Sequence, residues 1–168
     1  IRFGQNAGTS SLASGKTISI GGSGFTSGDL RLAYFVQIGS TSQSLTTFGA
    51  NVELYLSEGS EFNGSTAFTC PSIYLDGTTF NNSTTIVKTG AGFNLSNGGN
   101  TFGGVTSISN TGTGSFILAG TVADTYNENV TFLQTNAYTL YPAYNVNSNF
   151  KKNISTVGSN TAVVFGSN

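Results

Sequence analysis

Thirteen side chains, seven acidic and six basic, carry all the side-chain charge of this 168-residue chain and bound the chemistry it can do. The acids are Asp29, Glu53, Glu58, Glu61, Asp76, Asp124 and Glu128. Glycosidic cleavage uses two carboxyl groups about 5–10 Å apart, one giving a proton and the other attacking or activating water. Glu58 and Glu61 are the nearest pair in sequence, but their Ser-Glu-Gly-Ser-Glu setting reads as a solvated turn. Asp76 approaches Glu61 only if successive coils of chain align, and no basic partner is near either in sequence. There is no histidine, which excludes imidazole triads and metal sites, and one cysteine builds neither a zinc knuckle nor an internal disulfide. No catalytic residue, metal or cofactor is therefore expected. Six scattered cations make no basic patch for nucleic acid or an anionic membrane, and no run of 18 apolar residues offers a membrane span.

The glycine-rich and aromatic segments fare little better as chemistry. Gly21-Gly22-Ser23-Gly24 continues with Phe25. It therefore lacks the aspartate of a calcium-binding nonapeptide and the Lys-Ser/Thr of a phosphate loop. Cys70 follows Phe68 by two residues, so alternation turns it inward as a small apolar group. A face built for ice would repeat Thr-x-Thr at one place in successive coils, and Thr111-Gly112-Thr113 has no such companions. Tyr55 and Tyr74 alternate with inward leucine and isoleucine and so face outward, where with Tyr34 they either pack against their own coil neighbours, the favoured reading, or meet sugars. Tyr138, Tyr141 and Tyr144 form a second aromatic group of the same kind.

The elements that must carry these residues follow from a repeat. Ser, Thr, Asn and Gly number 22, 24, 18 and 23, just over half the chain, yet 12% aromatics at regular places argue against disorder. An aromatic followed by a small polar turn and a short alternating run recurs at Phe62, Phe80, Phe102, Tyr126 and Phe150. Second runs follow at Ile73-Tyr74-Leu75, Phe93-Asn94-Leu95, Phe116-Ile117-Leu118, Tyr138-Thr139-Leu140 and Val163-Val164-Phe165. Alternation over a few residues between Gly, Asn and Ser clusters marks short half-buried strands, and no helical stripe persists. Strand pairs returning every 18 to 24 residues suit a parallel β-solenoid better than a β-sandwich, which does not repeat one turn five times. The expectation is an all-β solenoid of coils about 18–29 residues long. It forms a single unit over 1–168, with looser coils over 1–56 and regular ones over 57–168. Phe62, Phe80, Phe102, Tyr126 and Phe150 should stack inward as an aromatic ladder, and Leu56, Leu75, Leu95, Leu118 and Leu140 as an aliphatic one. Phe93 and Phe165 are also expected in the core. Asn63, Asn81 and Asn127 directly follow ladder aromatics, where their amides either bond from coil to coil or only shape the turn.

Gly-Lys-Thr-Ile-Ser-Ile-Gly-Gly-Ser-Gly-Phe at 15–25, Gln-Ile-Gly-Ser-Thr-Ser-Gln-Ser-Leu at 37–45 and the Thr-Phe-Asn and Asn-Thr-Phe-Gly turns carry a resemblance. They resemble the giant tandem-repeat cell-surface proteins of Bacteroidota, the gliding-adhesin type among them. The resemblance implies secretion, a fibrous extracellular form and a structural role in adhesion, gliding motility or biofilm, with no catalytic residues to transfer. A carbohydrate-binding β-helix module is the alternative, with a polysaccharide-degrading β-helix behind it. Members commonly end in a sorting domain, so an internal or processed segment is expected here.

Two further expectations concern modification and assembly. Asn-x-Ser/Thr triplets include those at Asn63, Asn81 and Asn129, and Asp124-Thr125 is similar to the Bacteroidota O-glycosylation context, making Thr125 a candidate. The segments Ile-Arg-Phe-Gly-Gln-Asn at 1–6 and Val-Val-Phe-Gly-Ser-Asn at 163–168 match at Phe, Gly and Asn. Phe3 with Asn6 and Phe165 with Asn168 would then mark equivalent points of a longer repeat about seven coils deep, roughly 34 Å at about 4.8 Å per coil. The partner implied is the chain itself, head to tail, with surface glycans as a second class.

Overall fold

The computed structural model describes residues 1–4, 8–19, 25–47, 49–158 and 162–166. Glycine and β-branched threonine disfavour helix throughout, and none forms among these residues. Every strand pairing is parallel, and the strands stack coil on coil as a β-solenoid with three strand positions per coil.

The first face stacks Ser10–Leu12, Phe35–Gln37, Glu61–Phe62, Thr79–Phe80, Thr101–Phe102, Thr125–Tyr126 and Asn149–Phe150. The second stacks Gln43–Thr46, Thr66–Cys70, Thr84–Lys88, Thr106–Asn110, Val130–Gln134 and Ile154–Gly158. The third divides into two sheets. Arg2–Phe3, Ser27–Ala33, Asn51–Ser57 and Ser72–Asp76 form one, and Asn94–Leu95, Phe116–Ile117, Leu140–Ala143 and Val163–Phe165 form the other. Coil length runs from the 29 residues between the paired Phe3 and Leu32 to the 18 between the paired Phe68 and Ile86.

Register converts the repeat into columns of like side chains. Phe62, Phe80, Phe102, Tyr126 and Phe150 lie in sequential register on the first face. Their rings stack nearly parallel at centroid separations of 5.6, 5.1, 4.7 and 4.9 Å. Phe35 extends this ladder by one coil at 5.9 Å, a member that sequence spacing does not single out. A second inward column on the second face runs Leu45, Phe68, Ile86, Ile108, Phe132 and Thr156. Phe68 and Phe132 meet the ladder edge-on, so stacked and T-shaped contacts interlock across the core. Each such ring pair adds about 0.5–1.5 kcal/mol beyond the area it buries.

The aliphatic ladder departs from expectation. Leu56 and Leu75 pair in register below Leu32, but the next column reads Asn94, Phe116, Leu140 and Val163. Leu118 is buried beside that column rather than within it, and Leu95 points outward with 43% of its surface exposed. Phe93, 62% exposed, and Phe165, 45% exposed, likewise lie outside the closed core. Parity explains the first two. Ser96 turns its hydroxyl inward to accept the Leu75 N–H at 3.0 Å, where the third face changes sheet. That contact commits Asn94 and Ser96 to the inside, and alternation sends Phe93 and Leu95 out. Phe165 sits on the last coil, packed edge-on against Phe132 and Phe150 on its inner side alone.

Truncating a ladder ring should therefore cost far more than truncating Leu95. Phe102→Ala is expected to lose about 3–5 kcal/mol of unfolding free energy and Leu95→Ala less than about 1 kcal/mol. Urea denaturation of the two variants checks the contrast.

Candidate functional site

Polar side chains inside this solenoid gather at the corners between faces, where the backbone turns and loses its ladder partners. Ser60, Thr78, Asn100 and Asp124 directly precede the first-face strands and form one buried corner column. Ser60 Oγ accepts the Phe35 N–H at 3.2 Å, and Asn100 Oδ1 accepts the Thr78 N–H at 3.0 Å. Asp124 Oδ1 accepts both the backbone and the side-chain N–H of Asn100, each at 2.8 Å. Ser60, Asn100 and Asp124 each satisfy a donor of the coil before, whereas Thr78 Oγ1 makes no hydrogen bond.

Asp124 has no cationic partner in this column, and its Oδ2, like the buried Tyr126 hydroxyl, makes no hydrogen bond. Burial pushes the Asp124 carboxyl up to about 7, opposed only in part by the two bonds from Asn100. Burial likewise holds the Tyr126 phenol well above its usual range. At the opposite corner, Lys88 stands in register between Cys70 and Asn110 and is buried, its Nζ donating to Gly90 O at 2.6 Å and Gly114 O at 3.1 Å. Burial lowers its ammonium to about 8. Cys70 is buried as expected; Thr47 Oγ1 donates to its Sγ at 3.0 Å, and burial raises the thiol.

Outside, the charged groups concentrate on one stretch. Arg2, Asp29, Arg31, Glu53, Glu58 and Asp76, six of the thirteen, lie on the first sheet of the third face and its corner. Arg31 Nε donates to Asp29, and this bond holds the Asp29 carboxyl below its ordinary value. The same guanidinium lies 3.8 Å from the centroid of Tyr55, which stacks on Tyr74 at 4.4 Å. Tyr55 donates its hydroxyl to Glu53 Oε2 at 2.8 Å; burial, then that bond, raises the phenol. Asp76 Oδ1 accepts the Asn97 N–H at 2.5 Å, while burial raises its carboxyl. A groove of about 510 Å³ runs past Arg31, Tyr55, Glu58 and Asp76 over Gly77, Gly98 and Gly99 to Val122.

The sequence expectations distribute unevenly over this geometry. Across coils Asp76 neighbours Glu58, whose N–H donates to Asp76 O at 2.8 Å; Glu61 instead accepts from the Asn81 amide. Asn81 Nδ2 also donates to Asn63 Oδ1 at 2.6 Å, so the amide chain between coils exists for this pair. It stops there, because Gly103 occupies the next place after Phe102 and leaves Asn127 Oδ1 without a partner. Asn63 Nδ2 donates to Gln37 O at 2.5 Å, and glycosylation at Asn63 or Asn81 would disturb these bonds. Asn129 is exposed, accepts the Asn153 N–H at 3.2 Å and keeps its amide nitrogen unengaged; Thr125 is half-buried on the first face. Phe3 pairs with Leu32 and Phe165 with Ala143, both on the third face at opposite ends of the stack. Asn6 and Asn168 lie outside the described residues.

The chain matches no protein-family model, and comparisons with curated proteins and with solved structures found no match. Among the described residues, no group of three or more His, Cys, Asp or Glu side chains could hold a metal ion, and no helix is long and apolar enough to cross a membrane.

Asp124 gives this interior a measurable signature. Its folded value of about 7 lies above the ordinary carboxyl value, so folding favours the neutral acid. That contribution is whole below about pH 4 and is lost as pH climbs to about 7, on the order of 4 kcal/mol in all. Asp124→Asn keeps an acceptor for Asn100 without the charge. Its Tm should exceed the parent's at pH 8, and the two should converge below about pH 4.

Proposed function

We propose that the chain is a non-catalytic structural module of an extracellular surface filament, serving adhesion, gliding motility or a biofilm matrix. The observation that carries the reading is the aromatic ladder and what stands at its two ends. Phe3 packs edge-on against Phe35 at 6.1 Å, and Phe165 packs edge-on against Phe150 at 5.8 Å. Both come from the third face, and both precede a glycine of positive φ, Gly4 and Gly166. At Phe3's coil the first-face strand supplies only Ser10 opposite Phe35, so a third-face phenylalanine stands in for the missing ladder ring. A unit whose Phe165 takes the place of the next unit's Phe3 carries the ladder across the joint.

The backbone supports the same reading. On the second face Gln43, Thr66, Thr84, Thr106 and Val130 each donate an N–H to a carbonyl of the following coil. Ile154 is next in that series, and its strand is the outermost of the sheet. An open edge of this kind is completed by another parallel strand. That strand belongs either to a covalent tandem repeat, as the resemblance to Bacteroidota surface repeats implies, or to a separate copy polymerised head to tail.

Joining residues 1–162 directly to a second full copy tests the reading. The double-length chain should unfold in one transition, at a higher midpoint and with a steeper urea dependence than the single copy. Replacing Phe3 of the second copy by Asp should split that transition in two. Independent unfolding of the unsubstituted copies at the single-copy midpoint would sink the proposal.

A further inference from the structure

The three faces do not end together at the first coil. Seven strands stack on the first face and six on the second. Among the described residues the chain forms no strand between Ser10–Leu12 and Ser27–Ala33, where the second face of that coil should stand. Gln43–Thr46 is therefore the outermost strand of its sheet at this end, as Ile154–Gly158 is at the other. In a head-to-tail stack of units a single strand position separates the two.

The residues that belong in that position are present but stand off. Carrying the Leu12–Gln37 pairing forward puts Ile18 opposite Gln43 and Ser19 opposite Ser44. Thr17 and Ser19 are exposed around a half-buried Ile18 that packs on the core, the alternation of a strand with one buried face. No backbone hydrogen bond joins this segment to Gln43–Thr46. The inward Gln43 side chain, 1% exposed, makes the contact instead. Its Oε1 accepts the Ile18 N–H at 2.8 Å, and its Nε2 donates to Lys16 O at 3.1 Å. A glutamine amide offers the same acceptor and donor as a peptide group, so it substitutes for strand pairing and holds the segment a side chain's length away. A groove of about 320 Å³ remains between residues 17–19 and 42–46. The strand edge facing it is open. Gln43 and Thr47 donate their N–H groups forward, to Ser65 O and Thr69 O of the next coil. Peptide groups alternate in direction along a parallel strand, so the Ser44 and Thr46 N–H groups point back into the groove. Neither has a partner among the described residues.

We infer that residues 16–19 are a latch, tethered through Gln43 in a free unit and paired as the missing second-face strand once a preceding unit supplies Ile154–Gly158. The latch presupposes the head-to-tail stacking proposed above and controls its joint. In the paired state the Ile18 N–H moves from Gln43 Oε1 to Ser42 O, and Ile18 O accepts the Ser44 N–H, repeating the bonding of Gln43 to Ser65 one coil on. Each state has a cost that balances the other. Pairing takes Ile18 and Lys16 away from the buried Gln43 amide and leaves it Thr41 O alone. In a free unit the paired segment would have a strand on one side only and would itself become an open edge. Ile154–Gly158 of a neighbour supplies the second side, and the equilibrium moves to the paired state. Closure of the second face is thereby tied to the arrival of the next unit.

Amide hydrogen exchange followed by NMR tests the latch in the single copy and in the double-length chain, with only the second copy of the latter isotopically labelled. Ser44 and Thr46 should exchange near the free-peptide rate in the single copy and slow about a hundredfold or more in the joined second copy. Gln43→Leu should speed exchange at Ile18 about tenfold or more in the single copy, yet leave it slow in the joined second copy, where the backbone holds it. Three results would overturn the latch and leave the stacking intact, provided that the joined chain unfolds as one. They are protection of Ser44 and Thr46 already in the single copy, no slowing of these amides on joining, and equal loss of Ile18 protection by Gln43→Leu in both chains. Independent unfolding of the joined copies overturns latch and stacking together. Where Gln43→Leu fails to fold, the Ser44 and Thr46 amides decide alone.

Discussion

The architecture of this protein depends on parallel strand pairing in sequential register, which shifts only locally, as between Leu140 and Ala143. A single coil of some 20 residues encloses too little apolar surface to hold itself together, so each becomes stable only against the coils above and below it. Pairing at about 4.8 Å places side chain over like side chain, and aromatic rings tolerate that spacing unusually well because flat faces can stack on it. The ring separations of 4.7 to 5.6 Å sit close to the strand spacing, so the ladder and the sheet impose the same period on each other.

That constraint is also why so many polar groups are buried. Three faces need three corners per coil, and at a corner the main chain turns away from its neighbours' donors and acceptors. Small polar residues close the gap: Ser60 and Asn100 accept backbone N–H groups, while Lys88 and the Asn110 amide donate to carbonyls. Asp124 is the exception within its column. It fills the place of an uncharged acceptor with an ionisable one, and the low-polarity surroundings answer by favouring its proton.

The outer surface follows a different logic on different faces. Uncharged hydroxyl and amide side chains cover most of the solenoid, where the charged residues are few. The first sheet of the third face instead combines stacked tyrosines with paired charges. The glycine at Gly98 lets the Val122 backbone of the next coil close in, and the coil corner takes the same positive φ at Tyr34, Glu58 and Gly77.

Much of this was legible in the residues themselves. Recurrence of Phe62, Phe80, Phe102, Tyr126 and Phe150 before small polar turns is a local signal that determines strand existence, coil length and the aromatic column, because a repeat must place its copies equivalently. The aliphatic column was not legible in the same way. Phe93-Asn94-Leu95 looks like its neighbours, but which of two alternating sets faces inward is settled by the Ser96 contact across the sheet junction, one coil away. The burial of Asp124 could have been read from its position two residues before Tyr126, on the same side of the strand. The meeting of Glu58 with Asp76 could not. It depends on the number of residues in the intervening coil and on the turn at Gly59 and Gly77, so only the closed tertiary register, not the spacing of acids along the chain, decides which charges share a surface.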